Sequence, residues 1–201
     1  MSGKKRNWRE MALNLLRLQT RGEILRTVLG GLFGALFYVA LYQLDLPSFR
    51  LMGVITVQLD PAILAIPVIA AFLGPLAGLI AGLAGSTMAD ALFTQQVIAL
   101  GLINVSFGLL GFIAGIPHYT KGFSSGRALA KVVLFTMAGF IVMALVYLGA
   151  LLFISHQNML PTLLYNFLPF FTVSLITLFL VTPVAVRIID ALANYAWKKH
   201  P

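Results

Sequence analysis

The segment "VQLDPAILAIPVIAAFLGPLAGLIAGLAGSTMADAL", Val57 to Leu92, is apolar enough to live in lipid, yet it is cut by Asp60-Pro61 and Gly74-Pro75. A backbone in hydrocarbon must satisfy its own hydrogen bonds, so such a segment is helical and its breaks fall at helix ends. Proline is tolerated in a first turn, and Gly-Pro makes a reversal. The stretch therefore reads as two helices, Pro61–Leu73 and Leu76–Phe93, joined by a tight turn. Four further apolar runs flank it: Ile24–Leu44, Val97–Ile116, Ala128–Ile154 and Leu163–Ile189. A crossing helix needs about 20 apolar residues, fewer where neighbours bury it. The expected fold class is thus all-α integral membrane, a bundle of six transmembrane helices. With 60% hydrophobic and 10% charged residues, the chain lies far from the balance of a soluble domain.

Six crossings put both termini on one side, and the cations choose that side. The N-terminal arm carries Lys4, Lys5, Arg6, Arg9, Arg17, Arg21 and Arg26. The connection between the fourth and fifth runs carries Lys121, Arg127 and Lys131, and the C-terminal end carries Arg187, Lys198 and Lys199. Cytoplasmic termini leave Arg50 as the single outer residue of the 14 lysines and arginines. The net charge of +8 is thereby a membrane-orienting bias, not a nucleic-acid footprint. Three regions follow: a basic arm over 1–23, a membrane domain over 24–192 and a basic cytoplasmic tail over 193–201. In the arm, Trp8, Met11, Leu15 and Leu18 recur at helical spacing between cations, the pattern of a helix lying on an anionic leaflet or, alternatively, docking a partner.

In this orientation the polar residues gather at the outer side. Arg50 and Asp60 fall in the first outer connection, Asp90 ends the third span, and Asn104 lies about two turns into the fourth. Tyr147, His156 and Asn158 mark the outer end of the fifth span, Tyr165 and Asn166 the start of the sixth. An ionisable group inside a span costs about 2.5 to 3.5 kcal/mol on insertion scales, which marks Asp90 as a functional candidate. Together these residues are expected to surround a mostly apolar pocket open to the outside, of the kind that takes a small organic molecule.

Other chemistries fit poorly. Cysteine is absent, and His118, His156 and His200 are too scattered for a metal cluster; no metal or cofactor is expected. Ser86 and Asp90 are four apart on one helix face, but no nucleophile-elbow sequence surrounds Ser86, so an enzyme is not expected. No file of ionisable groups runs through the spans as in a proton or ion pathway. The chain also has no Walker loop, so uphill transport would need an outside energy source. Gly30, Gly34 and Ala35 in the first span, and Gly78 and Gly82 in the third, allow close helix approach, within the protein or against a membrane partner.

These features resemble a known family, the substrate-binding S components of energy-coupling factor (ECF) importers for vitamins and related micronutrients. The most specific patch is "VQLDPAILAIPVIAAFLGPLAGLIAGLAGSTMADALF", followed by "INVSFGLLGFIAGI" in the fourth span. The resemblance implies a six-helix bundle in the plasma membrane of a prokaryote, binding a vitamin-like ligand from outside. It also implies a membrane-embedded coupling subunit, meeting the small residues Gly30, Gly34, Ala35, Gly78 and Gly82, with two ATPase subunits below. Asp60 stands where related sequences often carry an arginine, so the anionic ligand that an arginine favours is not carried over. A non-transporting six-span scaffold of the cell-wall elongation type is the alternative, and it predicts no tightly bound ligand.

Overall fold

The computed structural model describes residues 16, 20–44, 48–51, 55–58, 60–94, 101–117, 122–123, 125–155 and 159–199. Helix α1, Arg21–Tyr42, opens with a capping box: Thr20 Oγ1 accepts the Glu23 N–H at 3.2 Å and the Glu23 carboxylate accepts the Thr20 N–H at 3.1 Å. It buries one stripe, Thr27, Gly31, Gly34, Ala35, Tyr38 and Val39, at helical spacing. Its opposite face exposes Leu25, Leu29, Leu32, Phe33 and Leu36. A helix that is apolar on its open face suits lipid as the surrounding solvent.

An antiparallel hairpin follows, β1 (Ser48–Leu51) and β2 (Ile55–Gln58), with Arg50 opposite Thr56. Asp60 then caps the next helix, its Oδ1 accepting the Ala62 N–H at 3.0 Å, with Pro61 in the first turn. A 3-10 turn, Pro61–Leu64, continues into α2, Ala65–Leu73. Ala62, Ile63, Ile66 and Ala70 are wholly buried, so this short element lies among the other helices and need not span lipid alone. It ends at Gly74, whose φ of 99° is in the region that only glycine enters readily, and Pro75 starts α3, Pro75–Ala89. A π-helical turn, Asp90–Thr94, extends α3. Next come α4, Gly101–Ala114, and α5, Gly126–Ser155. A helical turn, Met159–Pro161, and a π-helical turn, Thr162–Phe167, lead into α6, Leu168–Lys199. Helix thus continues through most of the stretch expected to be a tail, whereas most of the N-terminal arm lies outside the described residues.

Among the described residues, four helical stretches are long and apolar enough to cross a membrane: Arg21–Tyr42, Pro75–Phe93, Gly126–Phe153 and Leu163–Tyr195. Pro61–Leu73 and Gly101–Ala114 are the shorter apolar pair. Helix α3 is the hub. On one side a Cβ at Gly34 of α1 would lie 2.8 Å from Ala81 Cβ, and one at Gly85 would lie 2.8 Å from Tyr38 Cβ. On the other side Gly78 lies against the Gly111 carbonyl and Gly82 against the Phe107 carbonyl of α4. Gly30 lies against Leu73, and Ala35 is fully buried. Gly30, Gly34, Ala35, Gly78 and Gly82, the small residues expected at close helix contacts, all meet the chain's own helices here. Small residues four apart allow two backbones to approach closely, and here the approaching neighbours are the chain's own helices.

Helices α5 and α6 run antiparallel and join two apolar clusters. Phe140 and Leu178 belong to the larger one, Val132 and Val186 to the smaller. Thr136 and Thr182, a turn from each, fall between the clusters; both are buried, and their hydroxyls have no partner among the described residues. A hydroxyl without a hydrogen bond destabilises a dry interior, so Thr136→Val and Thr182→Val should each stabilise the fold, by up to about 1 kcal/mol. The check is the melting temperature in mild detergent; a drop in both variants would show that these hydroxyls have partners. At the same end, the Asp190 carboxylate accepts the Phe123 N–H at 3.0 Å and ties the α4–α5 connection to α6. Gly122, beside it, has a φ of 69°.

Candidate functional site

At the end of the bundle that carries the β-hairpin, all six helical segments contribute to one cavity of about 270 Å³. Helix α1 supplies Tyr38 and Tyr42, the capping residue of the second segment is Asp60, and α3 with its π turn supplies Ser86, Ala89 and Asp90. Helix α4 supplies Ile103, Asn104 and Phe107, α5 supplies Tyr147 and α6 supplies Phe170.

The wall is a continuous set of rings. Tyr147 and Phe170 stack at 4.6 Å between centroids, and Phe107 meets both edge-on at 6.4 and 6.3 Å. Tyr38 meets Phe107 edge-on at 6.2 Å and stacks toward Tyr42 at 6.4 Å. Such a wall offers apolar area and ring faces to a planar ligand.

The polar groups are few and fixed. Asn104, 1% exposed, donates from Nδ2 to Asp90 Oδ2 at 2.8 Å, linking the end of α3 to the first turns of α4. An ionised carboxylate only accepts, so its partner must be the NH₂ side of the amide. The Ser86 hydroxyl donates to the Gly82 carbonyl at 2.7 Å within its own helix. Burial pushes the Asp60 carboxyl above the usual carboxylate range, and the hydrogen bond from the Ala62 N–H opposes that rise by favouring the charged form. No lysine or arginine lines the cavity among the described residues. Nor does any group of three His, Asp or Glu among them suit a metal ion.

Of the residues singled out from sequence, Asp60, Asp90, Asn104 and Tyr147 meet at this cavity. Tyr165 is 59% exposed and is not part of its lining. Arg50 in β1 and Asn166 in the π turn are placed by their backbones alone, and His156 and Asn158 lie outside the described residues. Sequence reasoning missed Tyr38, Tyr42, Phe107 and Phe170 as lining. Three of these carried a signal: Tyr38 and Tyr42 continue the Gly34 face of α1 at four-residue spacing, and Phe107 sits three residues after Asn104.

No curated protein and no solved structure matches the chain. Residues 22–192 do match the model of one family, described as ECF-type riboflavin transporter, S component, so the chain belongs to that family and is a multi-pass membrane protein, the substrate-binding subunit of a transporter.

Proposed function

We propose that this subunit captures riboflavin from outside a prokaryotic plasma membrane and holds it in the cavity at the hairpin end. The carrying observation is the convergence of all six helical segments on a ring-lined cavity whose polar residues are Asp60, Ser86, Asp90, Asn104 and three tyrosines. Riboflavin is a planar heteroaromatic with a polyhydroxyl tail. Its ring suits Phe107, Tyr147 and Phe170, and its hydroxyl and N–H donors suit two carboxylates. At about 270 Å³ the cavity is near the lower end of small-molecule sites, so the bound tail would extend into the mouth. Arg50 and Asp60, on the first connection, are proposed as its gate, and His156, Asn158, Tyr165 and Asn166 as further ligand-facing residues.

All six segments cross the membrane in this reading, the two short ones sheltered by the four long ones. The cation distribution supports an orientation with both termini and the Asp190 end inside. Inward delivery requires a membrane-embedded coupling subunit and two ATPases. Since the glycine faces are filled internally, the open apolar face of α1 is the surface left for that subunit among the first three spans. The family match leaves the elongation-type scaffold without an observation in its favour.

Titration of the purified protein with riboflavin, read by quenching of flavin fluorescence, tests the function. A one-to-one complex with Kd below about 1 μM, equivalent to about 8 kcal/mol, is expected. Fluorescence unchanged at tens of micromolar flavin would refute it.

A further inference from the structure

Helix α6 passes through a level at which the bundle has no continuous apolar core, and we infer that it is hinged there, at Thr182 and Pro183. The part before the proline is fixed to the cavity, and the part after it swings as an arm at the Asp190 end. Such a device stands apart from ligand binding and does not depend on which molecule the cavity holds.

Among the described residues, buried apolar side chains form two separate clusters. The larger carries the cavity wall: Tyr38, Ile103 and Phe107 belong to it, and Tyr147 and Phe170 pack against it. The smaller has Val68, Ala71, Phe123, Val132 and Val186 as its buried members. Three helices pass from one cluster to the other, and each carries a proline or a polar residue where it crosses. On α2, Ile66 belongs to the larger cluster and Val68 to the smaller, with Pro67 between them. On α5, Thr136 lies between Val132 and Phe140; on α6, Thr182 and Pro183 lie between Leu178 and Val186. The hydroxyls of both threonines are buried without a hydrogen-bond partner among the described residues.

Proline has no N–H, and its ring crowds the carbonyl four residues earlier, so α6 bends more readily at Phe179–Pro183 than elsewhere. No amide at 183 meets the Phe179 carbonyl. A buried polar group without its hydrogen bond disfavours the arrangement that buries it, and a bend that gives such a group a partner recovers part of that cost. Beyond the proline, little holds the arm. Ala185 and Val186 meet the smaller cluster, and Asp190 accepts the Phe123 N–H at 3.0 Å. Val184, Ile188 and Leu192 are exposed. Segments with few buried apolar contacts are the ones that open locally. The Asp190 hydrogen bond is therefore a clasp. Closed, it holds the arm against the α4–α5 connection; open, it lets the arm turn about Pro183 while Leu178 and Phe170 stay with the larger cluster. The Asp190 end can thus change shape for a partner without opening the cavity wall.

The chain has no cysteine, so cysteine substitutions place spin labels uniquely. Two pairs share the exposed Leu29 of α1: an arm pair, Leu29→Cys with Leu192→Cys, and a fixed pair, Leu29→Cys with Ile176→Cys. Label-to-label distances are measured on the full chain in mild detergent. With Asp190→Ala added, the arm pair should show a second distance, populated at least about 3-fold more than without it, and the fixed pair should keep a single one. Combining Pro183→Ala, Thr136→Val and Thr182→Val with Asp190→Ala should abolish the second distance, because the helix regains its amide and the seam becomes apolar. A single unchanged distance for the arm pair after Asp190→Ala would overturn the inference. So would a second distance that survives the combined variant, or one that the fixed pair shares. Hydrogen exchange of the unsubstituted protein depends on no variant folding: amides over 184–189 should exchange at least about 10-fold faster than those over 172–178. Equal protection of the two stretches would refute the hinge.

Discussion

Gly111→Ala should leave little folded protein, the largest effect expected of any single methyl group in this chain. Helices α3 and α4 cross where Gly78 and Gly111 face each other, and a Cβ on either residue would fall on the other's carbonyl group. A clash with a flexible side chain is relieved by rotation, whereas one with backbone is relieved only by moving a helix. The same interface holds Gly82 over the Phe107 carbonyl and places a Cβ at Gly115 2.6 Å from Pro75 Cα, so α4 cannot pivot away at one point alone. Overpacking of a filled core commonly costs about 1–3 kcal/mol. A backbone clash at a helix crossing belongs at or above the top of that range, a large share of the roughly 5–15 kcal/mol that holds a domain folded. Monodisperse yield and melting temperature in mild detergent provide the measurement. Gly149→Ala is the control, because nothing lies within 4 Å of a Cβ there. If Gly111→Ala melts with the wild type, the close crossing of α3 and α4 is wrong.

The crossing also shows what a sequence of this kind discloses. The second segment was legible to the residue, Pro61–Leu73, because its limits are local events: a capping aspartate before a first-turn proline, and a glycine at positive φ before the next proline. Small-residue spacing announced close helix contacts but not with whom. On α3 small residues occur all round, Gly78 and Gly82 toward α4, Ala81 and Gly85 toward α1, so no single face stood out. At the cavity, Asp60, Asp90 and Asn104 were conspicuous because polar groups are rare among the apolar spans. The rings were not, since an aromatic facing lipid and one facing a ligand read alike: Phe33, Phe153 and Phe179 are exposed, while Phe107 is buried. Tyr165, outside the lining, could not be assigned a face from spacing. It lies in the π-helical turn Thr162–Phe167, which breaks the 3.6-residue register on which a face assignment depends.

Asn104→Leu should weaken flavin binding by about 10- to 100-fold while changing the melting temperature little. Leucine has the branched outline and heavy-atom count of asparagine, so at a side chain that is 1% exposed the packing of α4 is largely retained. What is lost is the 2.8 Å hydrogen bond to Asp90. Asp90 has part of its surface exposed, so in the free protein water can replace the amide, and stability falls by only about 1 kcal/mol. A bound ligand displaces that water, and a carboxylate left short of a donor then costs on the order of 1.5 to 3 kcal/mol. The penalty therefore appears in the complex and not in the fold. Asp90→Ala acts from the other side, leaving a buried amide without its acceptor. Because each variant destroys the same interaction, the double variant should bind little worse than the weaker single one, with a coupling of about 1 to 2 kcal/mol across the cycle. Additive losses would mean that the two residues meet the ligand independently. An unchanged Kd for Asn104→Leu would remove the pair from the binding site, and with it the polar half of the cavity's claim on riboflavin.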